Sequence, residues 1–360
     1  MKDNLTNKLK GSGRLWALIL IMFSLFCRNA FAQTLYVSAA NGKNNALGDY
    51  KNPILTLDEA FEKSNLFKGD RPVTIVVAPG LYTIAHKLNI HTAAAIHKCE
   101  AYNITASKLP DQKGWQASDV PVIISISGDN SKDKFPHSEG LLIGQDNVSI
   151  IGLKFIGNPN VGASDYYPIR RADKSLNRLV VSQCYFIGES NSSPIQSAFW
   201  VSGPGIQVDH CIFHNCKIAF VLSDAVNDFS LTYSIIDGAY NTAMWYGFAG
   251  TTPNFRFENN VITNCYYVMV YPVEKGQPFF TFKNSFITNN QHFVGYYPKA
   301  QDSFIEEKNK NIKLVNVSTT GTINLVAVEN DGITNNNLNI SPKSAGEITS
   351  AGIFKKLPNK

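Results

Sequence analysis

The sequence predicts an all-β protein, a right-handed parallel β-helix with three strands per coil of about 25 residues and a short N-terminal capping helix. Three observations predict it. A segment of about eight residues recurs through the middle of the chain. Apolar residues alternate inside each copy, which is strand periodicity. A second apolar stretch follows each copy at a similar distance.

The recurring segments are residues 148–155, 179–186, 206–213, 229–236, 255–262 and 280–287, with 312–317 opening a seventh; their starts lie 31, 27, 23, 26, 25 and 32 residues apart. The sixth position of each is Leu153, Cys184, Cys211, Ser234, Asn260 and Ser285, a small or amide side chain in all but the first. That pattern suits an inward-facing ladder where one strand bends into the next. The second stretches are 198–201, 219–222, 243–246, 268–271 and 293–296. A β-propeller is the rival repeat fold, but its blades need about 40 residues and four strands.

The ends agree. Thr56 and Glu59 have the spacing of a capping box, and Leu57, Ala60 and Phe61 make one apolar helical face, so a short helix is expected to plug the N-terminal mouth. Residues 93–118 break the period and are expected to loop out, as are 159–177 and 189–197. The repeat core is expected over about 73–330, with an irregular closing segment over about 331–360, all within a single domain spanning 33–360.

Residues 1–32 read as a signal peptide. Lys8, Lys10 and Arg14 precede an apolar run from Leu15 to Phe26, and Ala30-Phe31-Ala32 offers a cleavage site. The run is shorter than the roughly 20 residues that span a bilayer. Release to the periplasm or the exterior is expected, with no membrane attachment after cleavage; an uncleaved anchor is the alternative. Five basic residues against Asp3 give this leader +4 of the formal +5, so the remainder is nearly neutral and implies no nucleic-acid partner. Hydrophobic residues at 44% and charged residues at 17% exclude a disordered chain or a coiled coil. Cys99, Cys184, Cys211, Cys216 and Cys265 form no C-x-x-C pair and read as small buried thiols rather than zinc ligands.

Four further segments carry a family resemblance. Leu35-Tyr36-Val37-Ser38, then Asn52-Pro53 with Thr56 and Ala60, then residues 73–82 resemble the opening of secreted parallel β-helix proteins of the pectate-lyase-like superfamily; Ser341-Pro342 with Gly346 resembles the segment that closes such chains. The resemblance implies the fold and a polysaccharide ligand. It does not fix an activity, because that superfamily holds lyases, hydrolases, epimerases and proteins without known activity. The motif set of polygalacturonases and the calcium and arginine constellation of pectate lyases are absent, so no catalytic residue is carried over.

Repeat columns then supply candidates. His214 and Asp237 share a column on adjacent coils, about one strand spacing apart. His210 and Tyr233 share another. Together His210, His214, Tyr233 and Asp237 make a candidate constellation for acid–base chemistry, with solvated corner residues as the alternative. Asp209 and Glu258 share an outward column two coils apart, with Thr232 between and Lys283 beyond. That spacing is near the upper limit of an inverting glycosidase pair; a surface charge ladder is the alternative. Asp209, Asp224 and Asp228 could hold calcium; otherwise no cofactor or metal is expected. Arg170 and Arg171, expected in an inserted loop, suit acidic groups of a glycan, or simply solvent. Trp200 and Trp245, two coils apart, suit sugar faces or a buried column equally. The expectation is a secreted protein that cleaves an acidic polysaccharide by β-elimination or hydrolysis, with a non-catalytic glycan-binding protein as the alternative.

Overall fold

A computed structural model of the chain describes residues 33–67, 70–90, 99–248, 254–298, 303–321 and 351–355. The leader at 1–32 and residues 322–350, which hold Ser341, Pro342 and Gly346, lie outside the described residues.

Three strand columns wind into a parallel β-helix. The first sheet stacks Gln33–Val37, Val73–Val77, Tyr102–Ala106, Val148–Ile151, Leu179–Ser182, Ile206–Asp209, Asp228–Thr232, Asn254–Glu258, Thr281–Thr288 and Lys313–Ser318. The second stacks Leu81–Ile84, Val122–Ser125, Lys154–Ile156, Tyr185–Ile187, Ile212–His214, Ile235–Asp237 and Val261–Thr263, and ends on the same long strand Thr281–Thr288. The third runs Leu88–Ile90, Ser138–Ile143, Tyr166–Arg171, Ser197–Val201, Ile218–Asp224, Thr242–Phe248, Tyr267–Pro272 and His292–Tyr297. Among these strands every pairing is parallel. Among the described residues, Ile305–Glu307 closes the third sheet antiparallel.

Identical positions stack inside the coils. Phe155, Phe186 and Phe213 lie face to face, with centroids 5.1 and 5.0 Å apart. That is close to the strand spacing of about 4.8 Å, so offset stacking comes with the register. The sixth-position residues form the expected ladder. Ser234 Oγ accepts from Cys211 N, Asn260 Oδ1 from Ser234 N and Ser285 Oγ from Asn260 N, each at 3.0 Å, and all four side chains are buried. These bonds satisfy the backbone where the chain leaves one sheet for the next. The five described cysteines are free and buried, as expected. Burial pushes the Cys265 thiol up to about 12, which removes it from nucleophilic chemistry.

The helix α1 (Leu57–Asn65) packs Leu57, Ala60 and Phe61 inward, and Phe61 meets Tyr102 at 5.9 Å. Half of the expected capping box forms. Thr56 Oγ1 accepts from Glu59 N, while Asn44 Oδ1 takes the Thr56 N–H. The Glu59 carboxylate pairs instead with Lys63 one turn on, at 3.4 Å.

Two expected loops contain strands. Tyr102–Ala106 lies inside 93–118 and pairs with both neighbours in the first sheet. The long connection 107–121 hides it from an eight-residue template. Tyr166–Arg171 lies inside 159–177, so Arg170 and Arg171 sit on a strand of the third sheet. Pro168 masks this strand in the sequence, and the ladder skips it opposite Gly140.

Alternation also breaks in the third sheet. Ala198 and Phe199, Ala219 and Phe220, Ala243 and Met244, and Val268 and Met269 are adjacent pairs that both enter the core. These four consecutive coils carry the same break, so their register survives. Tyr246 and Tyr271 are thereby buried, while Trp200 and Trp245 are half-buried in one column with Val221 between them.

Candidate functional site

The corner between the first and second sheets needs one left-handed residue per coil. Its column is Gly152, Gln183, His210, Tyr233, Asn259, Asn284 and Asn316, all with φ between 47° and 75°. Glycine and asparagine occupy such positions at least cost; other side chains pay about 1 kcal/mol or more. Three consecutive coils place glutamine, histidine and tyrosine there instead. Strained residues of this kind concentrate at functional sites. The His210 and Tyr233 rings stack at 4.9 Å and 11°, as their shared column predicted.

Beside this corner, the outer face of the first sheet carries a groove of about 510 Å³. Two outward columns floor it. One holds Val180, Gln207, Ser230 and Arg256; the other holds Ser182, Asp209 and Thr232, with Glu258 next in line. Asp228 and Asn254 line one side and Lys355 another. The volume falls within the range of about 300–1,000 Å³ usual for small-ligand sites.

Asp209 joins groove and corner. Its Oδ1 accepts from Thr232 Oγ1 at 2.9 Å. His210 Nδ1 stands 2.9 Å from the same oxygen, near enough for an ion pair with the N–H off line for a directed bond. Lys355 Nζ approaches Oδ2 at 3.4 Å. Burial pushes this carboxyl up, but His210, Thr232 and Lys355 outweigh it and hold the group below its ordinary value. Glu258 is also held low, by Arg256 Nε at 2.9 Å against a slight desolvation and by Lys283 Nζ at 3.4 Å. The column Asp209–Thr232–Glu258–Lys283 is present as expected.

The other candidates separate. His214 and Asp237 do pair, Nδ1 to Oδ2 at 2.7 Å, but at the next corner, where the second sheet ends. Asn215 Nδ2 donates to His214 Nε2 at 2.9 Å, and Asn264 Nδ2 donates to Asp237 Oδ1 at 2.6 Å. Both imidazole nitrogens and both carboxylate oxygens are therefore engaged. The four residues form two pairs, one beside the groove and one along an asparagine-rich corner. Asp224 pairs with Lys174 at 2.8 Å, and it does not converge with Asp209 and Asp228 on a cation position.

Arg171 is turned into the corner between the third and first sheets, donating to Leu176 O, Ser202 O and Pro204 O at 3.2, 2.9 and 2.8 Å. It braces a turn instead of reaching outward. Arg170 faces outward, and its guanidinium lies 4.7 Å over the Trp200 ring. It belongs to a network the sequence did not show. Glu139, 1% exposed, receives Arg170 Nη1, Lys87 Nζ at 2.9 Å and His137 Nε2 at 3.1 Å. Arg170 Nη2 also reaches Asp133 at 2.5 Å. Burial raises Glu139, but these partners outweigh it and bring it to about 2. Asp133, His137 and Glu139 form the one described group close enough to share a metal ion. The two cations already bound to Glu139 make that site electrostatically unfavourable for another.

The sequence also missed Gln207, Arg256 and Lys355. The first two are legible once the outward columns are aligned. Lys355 lies outside the repeat.

No protein-family model matches the chain, and no curated protein matches it. Among solved structures it is similar to a rhamnogalacturonan lyase, at 12% identity and TM-score 0.37 over 90% of this chain and 100% of the other. It is also similar to a GH136 lacto-N-biosidase from Eubacterium ramulus, at 9% identity and TM-score 0.33 over 89% of this chain and 72% of the other. Likenesses this distant say nothing of this chain's site or substrate.

Proposed function

We propose that the protein is a secreted β-helix enzyme that binds a uronic polysaccharide along the groove of its first sheet and cleaves it by β-elimination. The observation that carries this reading is Asp209, which lines the groove and joins Thr232 to a strained, stacked His210–Tyr233 pair at the adjoining corner. Coil spacing presents polar side chains at intervals of about 4.8 Å, close to the length of a sugar unit. In the reaction His210 and Tyr233 supply a proton acceptor and a proton donor. One takes the proton from C5 of the uronic residue. The C4–O bond breaks as the C4–C5 double bond forms, and the other returns a proton to the leaving oxygen. Asp209 orients His210, and Lys355 and Arg256, two coils apart, neutralise carboxylates of successive uronic units.

Elimination is favoured over hydrolysis by one feature. A glycosidase pair needs one carboxyl protonated near neutral pH. Asp209 and Glu258 are both held below their ordinary values by cations and hydrogen bonds. His214 with Asp237, and Arg171, take structural roles in this reading.

The test uses protein from Gln33 onward against a polysaccharide panel, with and without calcium. Absorbance from new C=C bonds rising together with reducing ends is the expected result. Reducing ends alone would make it a hydrolase. Silence in both, with β-rich circular dichroism, would leave a binding protein; the burial of His210, only 7% exposed, favours that second reading.

A further inference from the structure

Residues 351–355 form a strap across the outer face of the second sheet. That face is apolar where most solenoid surfaces are polar: Tyr185, Ile187, Ile212, Ile235 and Val261 are all buried there, with Ala351 and Ile353 over them. Phe354 meets Trp115 edge-on at 5.4 Å. The backbone is fixed at the strained corner itself. Gly352 N donates to Tyr233 O at 2.8 Å, and Gln183 Nε2 donates to Ile353 O at 2.7 Å. The strap therefore gives the glutamine in the corner column a partner, and it binds the residues on both sides of His210 in that column.

The strap ends by delivering Lys355 over the rim into the groove. Its ammonium lies 3.4 Å from Asp209, and the side chain remains 44% exposed. An ammonium has three donors, so one loose ion pair leaves capacity for a ligand. Arg256, 60% exposed, uses its Nε edge on Glu258 and lies two coils along from Asp209, about 10 Å away along the axis. Two cations with open donors thus bracket a groove otherwise lined by acids, amides and hydroxyls together with Val180 and Ile206.

We infer that the strap is a built part of the groove and that Lys355 is a specificity-determining residue, holding the carboxylate of a uronic unit beside Asp209. This rests on the groove being the glycan site. A fixed cation at that point selects an acidic sugar over its neutral counterpart, because the neutral one leaves the Lys355–Asp209 pair partly desolvated without compensation.

The experiment measures binding of the chain from Gln33 onward to polygalacturonate, alginate and hyaluronan, each beside its carboxyl-reduced form. Lys355→Met keeps the stem and removes the charge. It is expected to weaken the best polyuronate about ten-fold, to leave the reduced polymer unchanged and to lower the salt dependence, with Arg256 supplying the remainder. Lys355→Arg is expected to restore the preference. An unchanged melting temperature shows the strap still docked. Parental binding by Lys355→Met overturns the inference; if Asp209→Asn nonetheless loses binding, the groove reading survives alone. Parental binding by both variants, or a parent that binds none of the polymers, overturns both.

Discussion

Two carboxylates in this molecule lie beside a histidine and a cation, and they do different work. Glu139, on the outer face of the third sheet, is 1% exposed and claimed by Arg170, Lys87 and His137 at once. Asp209, on the outer face of the first sheet, has Thr232, His210 and a loose Lys355, and its side chain is 29% exposed on an open groove. The Glu139 cluster is closed, with Trp200 and Tyr167 packed on His137 at 5.4 and 5.0 Å. The lesson is that residue type does not separate a brace from a site. Completeness of pairing and access to space do.

The sharpest way to break this comparison is Glu139→Ala. Two half-buried cations would lose their shared partner, with Arg170 keeping only Asp133, and stability should fall by about 3 kcal/mol by denaturant titration, while turnover per folded molecule stays near parental. A large loss of turnover with stability intact would move the site to the third sheet.

Acid titration sharpens it next. The Glu139 carboxyl is depressed to about 2 from an ordinary 4.5. A depressed group stabilises fully above its unfolded value and loses that contribution as pH falls through the folded value. About 3 kcal/mol should therefore disappear between roughly pH 4.5 and 2, and Glu139→Gln should flatten that part of the profile.

Asp209→Asn should do the reverse of Glu139→Ala. Cleavage should fall about 100-fold, in the range of a lost acid–base contribution, with little change in melting temperature. The smallest effect is expected from Tyr233→Asn. Asparagine is the residue of the later coils at this left-handed corner, so relief of strain should offset the lost ring stack to within about 1 kcal/mol. Cleavage should still collapse, and a variant that loses stability heavily would show Tyr233 to be a packing residue.

Much of the fold was legible because a solenoid writes its register into the sequence. The Phe155–Phe186–Phe213 stack, the Ser234–Asn260–Ser285 ladder and the His210–Tyr233 pair all follow from aligning the repeats. What failed were places where local chemistry hid a repeat, as Pro168 did inside Tyr166–Arg171, or where alternation broke, as at Ala243 and Met244. The site was only partly legible. Columns place residues on neighbouring coils, so they gave His214 with Asp237 correctly as a pair. They do not say that Asn215 and Asn264 close that pair off, nor that a segment beyond the repeats brings Lys355 to Asp209. The Glu139 network was hidden for the same reason: Lys87, His137 and Glu139 belong to coils whose long loops defeat the alignment.

The most direct test of the central claim is a crystal of the chain from Gln33 onward soaked with a uronic trisaccharide, with His210→Ala used to keep the sugar intact. The account predicts sugar density along the first sheet, over Asp209 and Thr232 and reaching Arg256, with a carboxylate against Lys355. Density over Arg170 and Trp200 on the third sheet, with the first-sheet groove empty, would contradict it.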